Sequence, residues 1–343
     1  MQGGSPGFFR RMGPWIGGAA LMVVCSSANA AVRYNFTSFD GPGANGGGTT
    51  VNGINNAGDV VGFSSDNAGN PTLLTNFIRN PNGTFQTLNI NNDPLAMANG
   101  INDSGAVVGT SNNGAFVSTG GNFSVLPPVN GTTASQTAFG INDHGQIVGQ
   151  YTDGATGLSP GFLYNGGAYS ILAPLPTAFV TNLQGINNDG LVTGFYSSDG
   201  VHQHGFFYNS TADTFSLAPD PNIANLVLTQ FLGLNDDGQA VGYYQTNDGS
   251  QHGFLFNIAT DAYTFLDDPS AATSGFSITQ ITGINDSGEL TGFYLDPGTG
   301  LQRGFVATVA VPEPSTWAML LLGFAGVGVA GLRTARTSIP ITG

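Results

Sequence analysis

The side chains able to do chemistry are few, and most of them recur at one place in a repeated unit. Four histidines are present, His144, His202, His204 and His252. His202-x-His204 sets two rings on one side of an extended segment, the beginning of a metal site, but no third ligand accompanies them and no metal is assigned. The body holds one glutamate, Glu289, and its aspartates mostly fill repeated turn positions, among them Asp103, Asp143, Asp189, Asp236 and Asp286. A residue type that returns in every copy serves the geometry of the repeat. A glycosidase needs two carboxylates about 5–9.5 Å apart, one of them held protonated, and no pair stands out from the repeating background. Asp153-Gly154, Asp199-Gly200, Asp248-Gly249 and Asp296-Pro297-Gly298 are turn signals whose oxygens could also take Ca²⁺, although neither the EF-hand nor the nonapeptide calcium pattern is present. Calcium therefore stays an option, and no other cofactor is expected. Phosphate-binding glycine loops, Gly-x-Ser-x-Gly and His-Glu-x-x-His are absent, so no catalytic residue is assigned.

Composition narrows the field further. Of 343 residues only 8% are charged, against roughly 25% in an average soluble domain. There is no lysine, and seven arginines stand against 21 acidic residues. A body this acidic repels a phosphate backbone, which argues against nucleic acid as a partner. Fifty-three glycines favour tight turns over long helices. Cys25 is the single cysteine and lies in the leader, so a processed chain would have no disulfide, thiolate or cysteine–metal chemistry.

Residues 1–30 read as a signal peptide. Arg10 and Arg11 supply the basic start, the run from Trp15 to Val24 the apolar centre, and Ala28-Asn29-Ala30 the small-residue cleavage pattern, with Ala31 as the new N-terminus. A lipoprotein signal would want a small residue where Val24 precedes Cys25, and the apolar run is short for a retained anchor. At the other end, Val311-Pro312-Glu313-Pro314-Ser315 precedes an apolar stretch from Trp317 to Leu332, then Arg333 and Arg336. As a helix this stretch would rise about 24 Å, close to the hydrocarbon thickness, with the arginines on the cytoplasmic side.

Pro312-Glu313-Pro314, a short apolar helix and terminal basic residues resemble the PEP-CTERM sorting signal of Gram-negative bacteria, over residues 311–336. The resemblance implies an exosortase as partner, a membrane intermediate, and a setting in which extracellular polysaccharide is made. The basic cluster departs from the pattern in being split by Thr334 and Ala335, and residues 337–343 trail behind it. A plain C-terminal anchor helix is the simpler reading.

Residues 31–310 are six copies of one unit. Gly-Ile-Asn recurs at Gly53, Gly100, Gly140, Gly185 and Gly283, and Gly233-Leu234-Asn235 is the sixth copy. Intervals are 47, 40, 45, 48 and 50 residues. The asparagines Asn55, Asn102, Asn142, Asn187, Asn235 and Asn285 open turns of the form Asn-(Asn/Asp)-x-Gly, a structural role. Each unit offers four short apolar runs, as expected for four antiparallel strands and the size of a propeller blade. A β-solenoid is the rival, with shorter coils and open ends. The sixth unit supplies only three runs before the tail. Tyr34-Asn35-Phe36-Thr37-Ser38-Phe39-Asp40 is similar to the closing run Tyr263-Thr264-Phe265-Leu266-Asp267, so residues 33–40 are expected to complete the last blade. The fold class is thus all-β: a six-bladed propeller of four-stranded antiparallel blades closed by an N-terminal strand, followed by a C-terminal transmembrane helix.

The units also resemble extracellular HAF-repeat proteins of bacteria, through Gly-Ile-Asn-(Asp/Asn)-x-Gly and the step His204-Gly205-Phe206 and His252-Gly253-Phe254. Pro160 and Arg303 replace the histidine in other copies. The resemblance implies a propeller-like fold and no defined activity. The expectation is an exported, non-catalytic protein of the cell surface or extracellular matrix. Two alternatives remain: a glycan-binding propeller, with Tyr196, Tyr243, Tyr244 and Tyr294 as stacking candidates although their repeat position makes them core strand residues first, and a polysaccharide-processing enzyme.

Overall fold

The computed structural model describes residues 33–44, 46–65, 73–131, 135–172, 178–271 and 275–310. The leader, the cleavage residues Ala28, Ala30 and Ala31, and the tail with Pro312, Glu313, Pro314, Ser315, Arg333 and Arg336 lie outside the described residues. Within them the chain forms six four-stranded antiparallel sheets arranged as the blades of a propeller. The innermost strands are Thr49–Ile54, Met97–Ile101, Gln136–Ile141, Val180–Ile186, Leu226–Leu234 and Thr279–Ile284. Each ends on the Gly-Ile/Leu step of its repeat. Strands two, three and four of a blade follow outward in chain order in the first five blades.

The sixth blade is made from both ends of the domain. Thr279–Ile284, Leu290–Leu295 and Gln302–Val309 supply three strands, and Tyr34–Phe39 pairs antiparallel with the last of them, from Tyr34 opposite Val309 to Phe39 opposite Gly304. The expected closing strand is therefore present. It covers a sheet edge that would otherwise present unpaired backbone groups. Arg303 fixes the join, with Nε and Nη2 donating to the Asp40 carboxylate at 2.9 and 3.1 Å.

The core is a set of wedges rather than one centre. Buried apolar side chains cluster between neighbouring blades, for example Val148, Leu183, Val192 and Phe206 between the third and fourth. The phenylalanine of each third strand (Phe77, Phe116, Phe162, Phe206, Phe254 and Phe305) is at most 1% exposed. The residue before it faces the innermost strand of the next blade, and the two positions trade size. Gly161, Gly205, Gly253 and Gly304 leave room for Leu183, Phe231, Ile281 and Val51; a methyl group on any of them would collide with that neighbour. Where a side chain replaces the glycine, as at Asn76 and Ala115, the opposing residue is Ala98 or Ala138. A small residue on one strand thus makes room for a larger one on the other, which lets the blades pack closely there.

Candidate functional site

The six Gly-Ile-Asn steps meet on the propeller axis. Each asparagine is 2–7% exposed and reaches across to the next blade. Asn55 Nδ2 donates to the Asn102 carbonyl, Asn102 to Asn142, Asn142 to Asn187, Asn187 to Asn235, Asn235 to Asn285, and Asn285 back to Asn55, at 2.9–3.2 Å. The Oδ1 of each accepts the backbone N–H four residues on, closing its own turn, as Asp59 N does on Asn55. Gly190, at φ +76°, shows why glycine ends that turn: a left-handed backbone is needed there. The side chain thus serves its own hairpin and its neighbour at once. The inter-blade half of this arrangement was not legible in one repeat.

A second ring lies beside the first. The next residue's backbone N–H donates to the side-chain Oδ1 of the equivalent residue in the following blade, around Asn56, Asp103, Asp143, Asn188, Asp236 and Asp286, at 2.7–2.9 Å. Asn56 Nδ2 bridges Asp103 and Asp286, and Asn188 Nδ2 bridges Asp143 and Asp236. Glu289 accepts from Asn285 Nδ2 at 2.9 Å, the place Gln146 and Gln239 take in their repeats. The carboxylates of this end are therefore structural acceptors. The axial space here is about 70 Å³.

Moving along the axis, the six glycines form a waist. A methyl group placed on any of them would come within 3.2–3.4 Å of the next glycine's Cα, so the blades meet backbone to backbone. Just before each glycine the register slips by one residue. The extra residue of such a bulge is aimed away from the ladder. Here these residues are Asn52, Asn99, Phe139, Gln184, Leu232 and Thr282, and they line a cup of about 250 Å³ beyond the waist, with Gln230, Gln280 and Phe293 in its wall. No ionisable side chain lines it. The hairpins between second and third strands emerge at this end, opposite the asparagine turns. Sequence reasoning missed the cup; its signal is a variable residue of mixed polarity directly before the constant Gly-Ile/Leu-Asn step.

The remaining candidates are dispersed. His202 Nδ1 pairs with Asp199 at 2.7 Å, whereas His204 Nδ1 pairs with Asp220 and His252 Nδ1 with Asp267, each at 2.7 Å. His202 and His204 thus face different carboxylates. Among the described residues no three His, Cys, Asp or Glu side chains converge on a metal-sized site. The His-Gly-Phe step acquires a physical role: its first residue ties the third strand to the loop after the outermost one, as Arg303 does with Asp40. The loop aspartates cap their own turns, and hydrogen bonds from His202 and the Val201 and His202 backbone hold the Asp199 carboxyl well below the usual range. Asp153 and Asp248 are lowered in the same way by turn hydrogen bonds. Tyr196, Tyr243, Tyr244 and Tyr294 are at most 9% exposed, and burial pushes the Tyr243 phenol up to about 12. They pack blades and offer no stacking platform at the rim.

A larger notch of about 540 Å³ separates the second and third blades. Hairpin length explains it. Longer hairpins in the third, fourth and fifth blades bridge to the next innermost strand, at Ser159–Val180, Gln203–Leu228 and Gln251–Ile278. The second blade turns at Asn112 and Asn113, which Asp93 holds by hydrogen bonds to Asn112.

Among solved structures, the chain is similar to a protein of unknown function from Dyadobacter fermentans, at 12% identity over 81% of this chain and 99% of that one, TM-score 0.49. TolB from Acinetobacter baumannii matches at 11% identity over 77% of this chain and 64% of TolB, TM-score 0.47. The β-propeller domain of the Trilobed protease from Pyrococcus furiosus matches at 10% identity over 76% of this chain and 95% of that one, TM-score 0.40. The chain spans 64% of the length of TolB and 43% of a prolyl endopeptidase that it also matches. No curated protein matches the sequence. At its C-terminus, residues 310–336 match the PEP-CTERM protein-sorting motif, which implies export, membrane-associated processing and recognition by an exosortase.

Proposed function

We propose that this chain is a non-catalytic propeller, exported through its leader, held briefly in the inner membrane by its C-terminal apolar segment, and passed by an exosortase to the cell surface or extracellular matrix. The observation that carries the reading is the sorting motif placed directly after the last strand of the propeller, Gln302–Val309. A folded body would then sit outside the membrane with the processing site one short step from it. The non-catalytic part is supported by the fate of the carboxylates. Those of the axial rings, Glu289 and the histidine partners all accept hydrogen bonds that hold the repeat together. The likeness of the repeats to extracellular HAF-repeat proteins is in keeping with this location.

The test is fractionation of cells producing the whole chain, with and without their exosortase. Wild-type chain should leave the membrane fraction in a shortened form. Replacing Pro312, Glu313 and Pro314 together by alanine, or deleting the exosortase, should leave a full-length membrane-bound form. Release of the triple variant at the wild-type rate would overturn the proposal.

A further inference from the structure

The axial cup opposite the asparagine rings has features that the repeat itself does not require. At the bulge position the backbone geometry recurs six times, yet the side chains differ: three amides, a phenylalanine, a leucine and a threonine. The glycine and asparagine that follow it in the repeat are constrained by the waist and the rings. The bulge residue is constrained by neither, so its chemistry is free to serve something in the channel.

That chemistry is oriented by hydrogen bonds to the protein. Asn52 Nδ2 is tied to the Ala98 carbonyl and Asn99 Nδ2 to the Ala138 carbonyl, both at 2.9 Å. Gln184 Nε2 donates to Asn182 at 3.0 Å, Gln280 Nε2 to Gln251 at 2.7 Å, and Gln230 Nε2 to Gln203. Each of these nitrogens spends at least one N–H on the protein, which orients the amide, and the carbonyl oxygens of Asn52, Gln184, Gln230 and Gln280 have no protein donor among the described residues and present acceptors. Phe139, Leu232 and Phe293 supply apolar surface between them. An uncharged cup that offers acceptors and an aromatic face suits a ligand with several O–H donors and an apolar C–H face. Anions find no donor charge there, and apolar ligands would leave the carbonyls unpaired.

From these features we infer that the cup binds one ring of a neutral saccharide, with the amide carbonyls of Gln184 and Gln230 accepting its hydroxyls and Phe139 against its apolar face. A volume of about 250 Å³ falls below the range of about 300–1,000 Å³ typical of drug-sized ligands, so a single ring or chain end fits and a continuous polymer does not. The inference goes beyond the sorting proposal and does not depend on it, because it concerns the body alone.

The experiment is calorimetric titration of the whole chain, purified in a detergent without a sugar head group, against glucose, galactose, mannose and N-acetylglucosamine, with calcium and sodium chloride as separate titrants. At least one sugar should bind. Gln184→Leu should weaken it by about tenfold, the equivalent of one hydrogen bond lost, and Phe139→Ala by a similar factor, with thermal midpoints near wild type. Asn113→Ala, in the notch between the second and third blades, should bind normally. Absence of binding to every sugar, binding that both cup variants leave unchanged, or heat only with the salts would each overturn the inference. A variant that fails to fold is replaced by Gln230→Leu, read against the same thermal control.

Discussion

Asn285 and Asn55 stand 230 residues apart and share a hydrogen bond: Asn285 Nδ2 donates to the Asn55 carbonyl at 3.1 Å. It is one of the contacts that turn a row of six repeats into a ring, beside the Asp286–Asn56 bond and the Gly283–Gly53 approach. Asn285 and Asn55 are both nearly inaccessible to solvent, so neither group has water as a substitute. Asn285→Ala removes that donor and also the acceptor for the Glu289 N–H. Each buried group left unsatisfied costs about 1–3 kcal/mol. The variant should lose about 2–4 kcal/mol in urea denaturation, and an equal effect from an exposed asparagine such as Asn82 would contradict the closure role.

The size exchange between blades predicts a coupling. Gly161→Ala should destabilise by about 1–3 kcal/mol through its collision with Leu183, and Leu183→Ala by about 3 kcal/mol through the cavity it leaves. Combined, the two changes recreate the alanine pair seen at Ala115 and Ala138. The double variant should therefore be more stable than the sum of the singles by at least about 1 kcal/mol in a double-mutant cycle.

Closure by the N-terminal strand can be tested at Phe36, whose ring lies 5.1 Å from that of Phe305 in an edge-to-face contact. Phe36→Asp sets a charge against the wedge between strands and should cost about 3 kcal/mol or more. Thr37→Asp, one residue on and exposed, should change stability by less than about 0.5 kcal/mol. Limited proteolysis should cut the segment before Thr49 faster in the first variant than in the second.

Asp268 carries a pH dependence. It is 2% exposed, its Oδ2 has no hydrogen-bond partner, and burial raises its pKa despite the Ser270 N–H on Oδ1 and the nearby Arg303 charge. A carboxyl with a raised pKa binds its proton more tightly folded than unfolded. Its penalty is absent below the unfolded value and complete above the folded one, so stability falls as pH rises between them. Asp268→Asn should raise the thermal midpoint at pH 7, and the advantage should shrink as the pH falls through the carboxylate range. A gain that stays constant down to acid pH would rule out titration of this group as its source.

The charged clamps should matter less. Arg303→Gln breaks a bidentate pair with Asp40, but both partners are partly exposed, so the loss should stay near 1 kcal/mol and shrink further in high salt.

Much of the architecture is local, and so it was legible in the sequence. Asn-x-x-Gly sets a turn because an asparagine side chain caps its own hairpin and glycine accepts the left-handed backbone, and both facts belong to a few adjacent residues. Six such units at intervals of 40–50 residues, with a stray strand-like segment at residues 33–40, were enough to indicate four-stranded blades and their closure. What tertiary structure decided is everything that one repeat does to another. Asn55 caps Asp59 by local geometry, but its bond to Asn102 exists only because the ring brings two turns side by side. The repeat position of Tyr294 and its counterparts marks them as core strand residues, and neighbouring blades bury them by covering both faces of each sheet. Gln184 and Phe139, 45 residues apart in neighbouring blades, meet only because a one-residue slip aims each toward a shared axis. Turn and strand preferences act over a handful of bonds, whereas burial and convergence on an axis depend on where six copies of the same unit are placed in space.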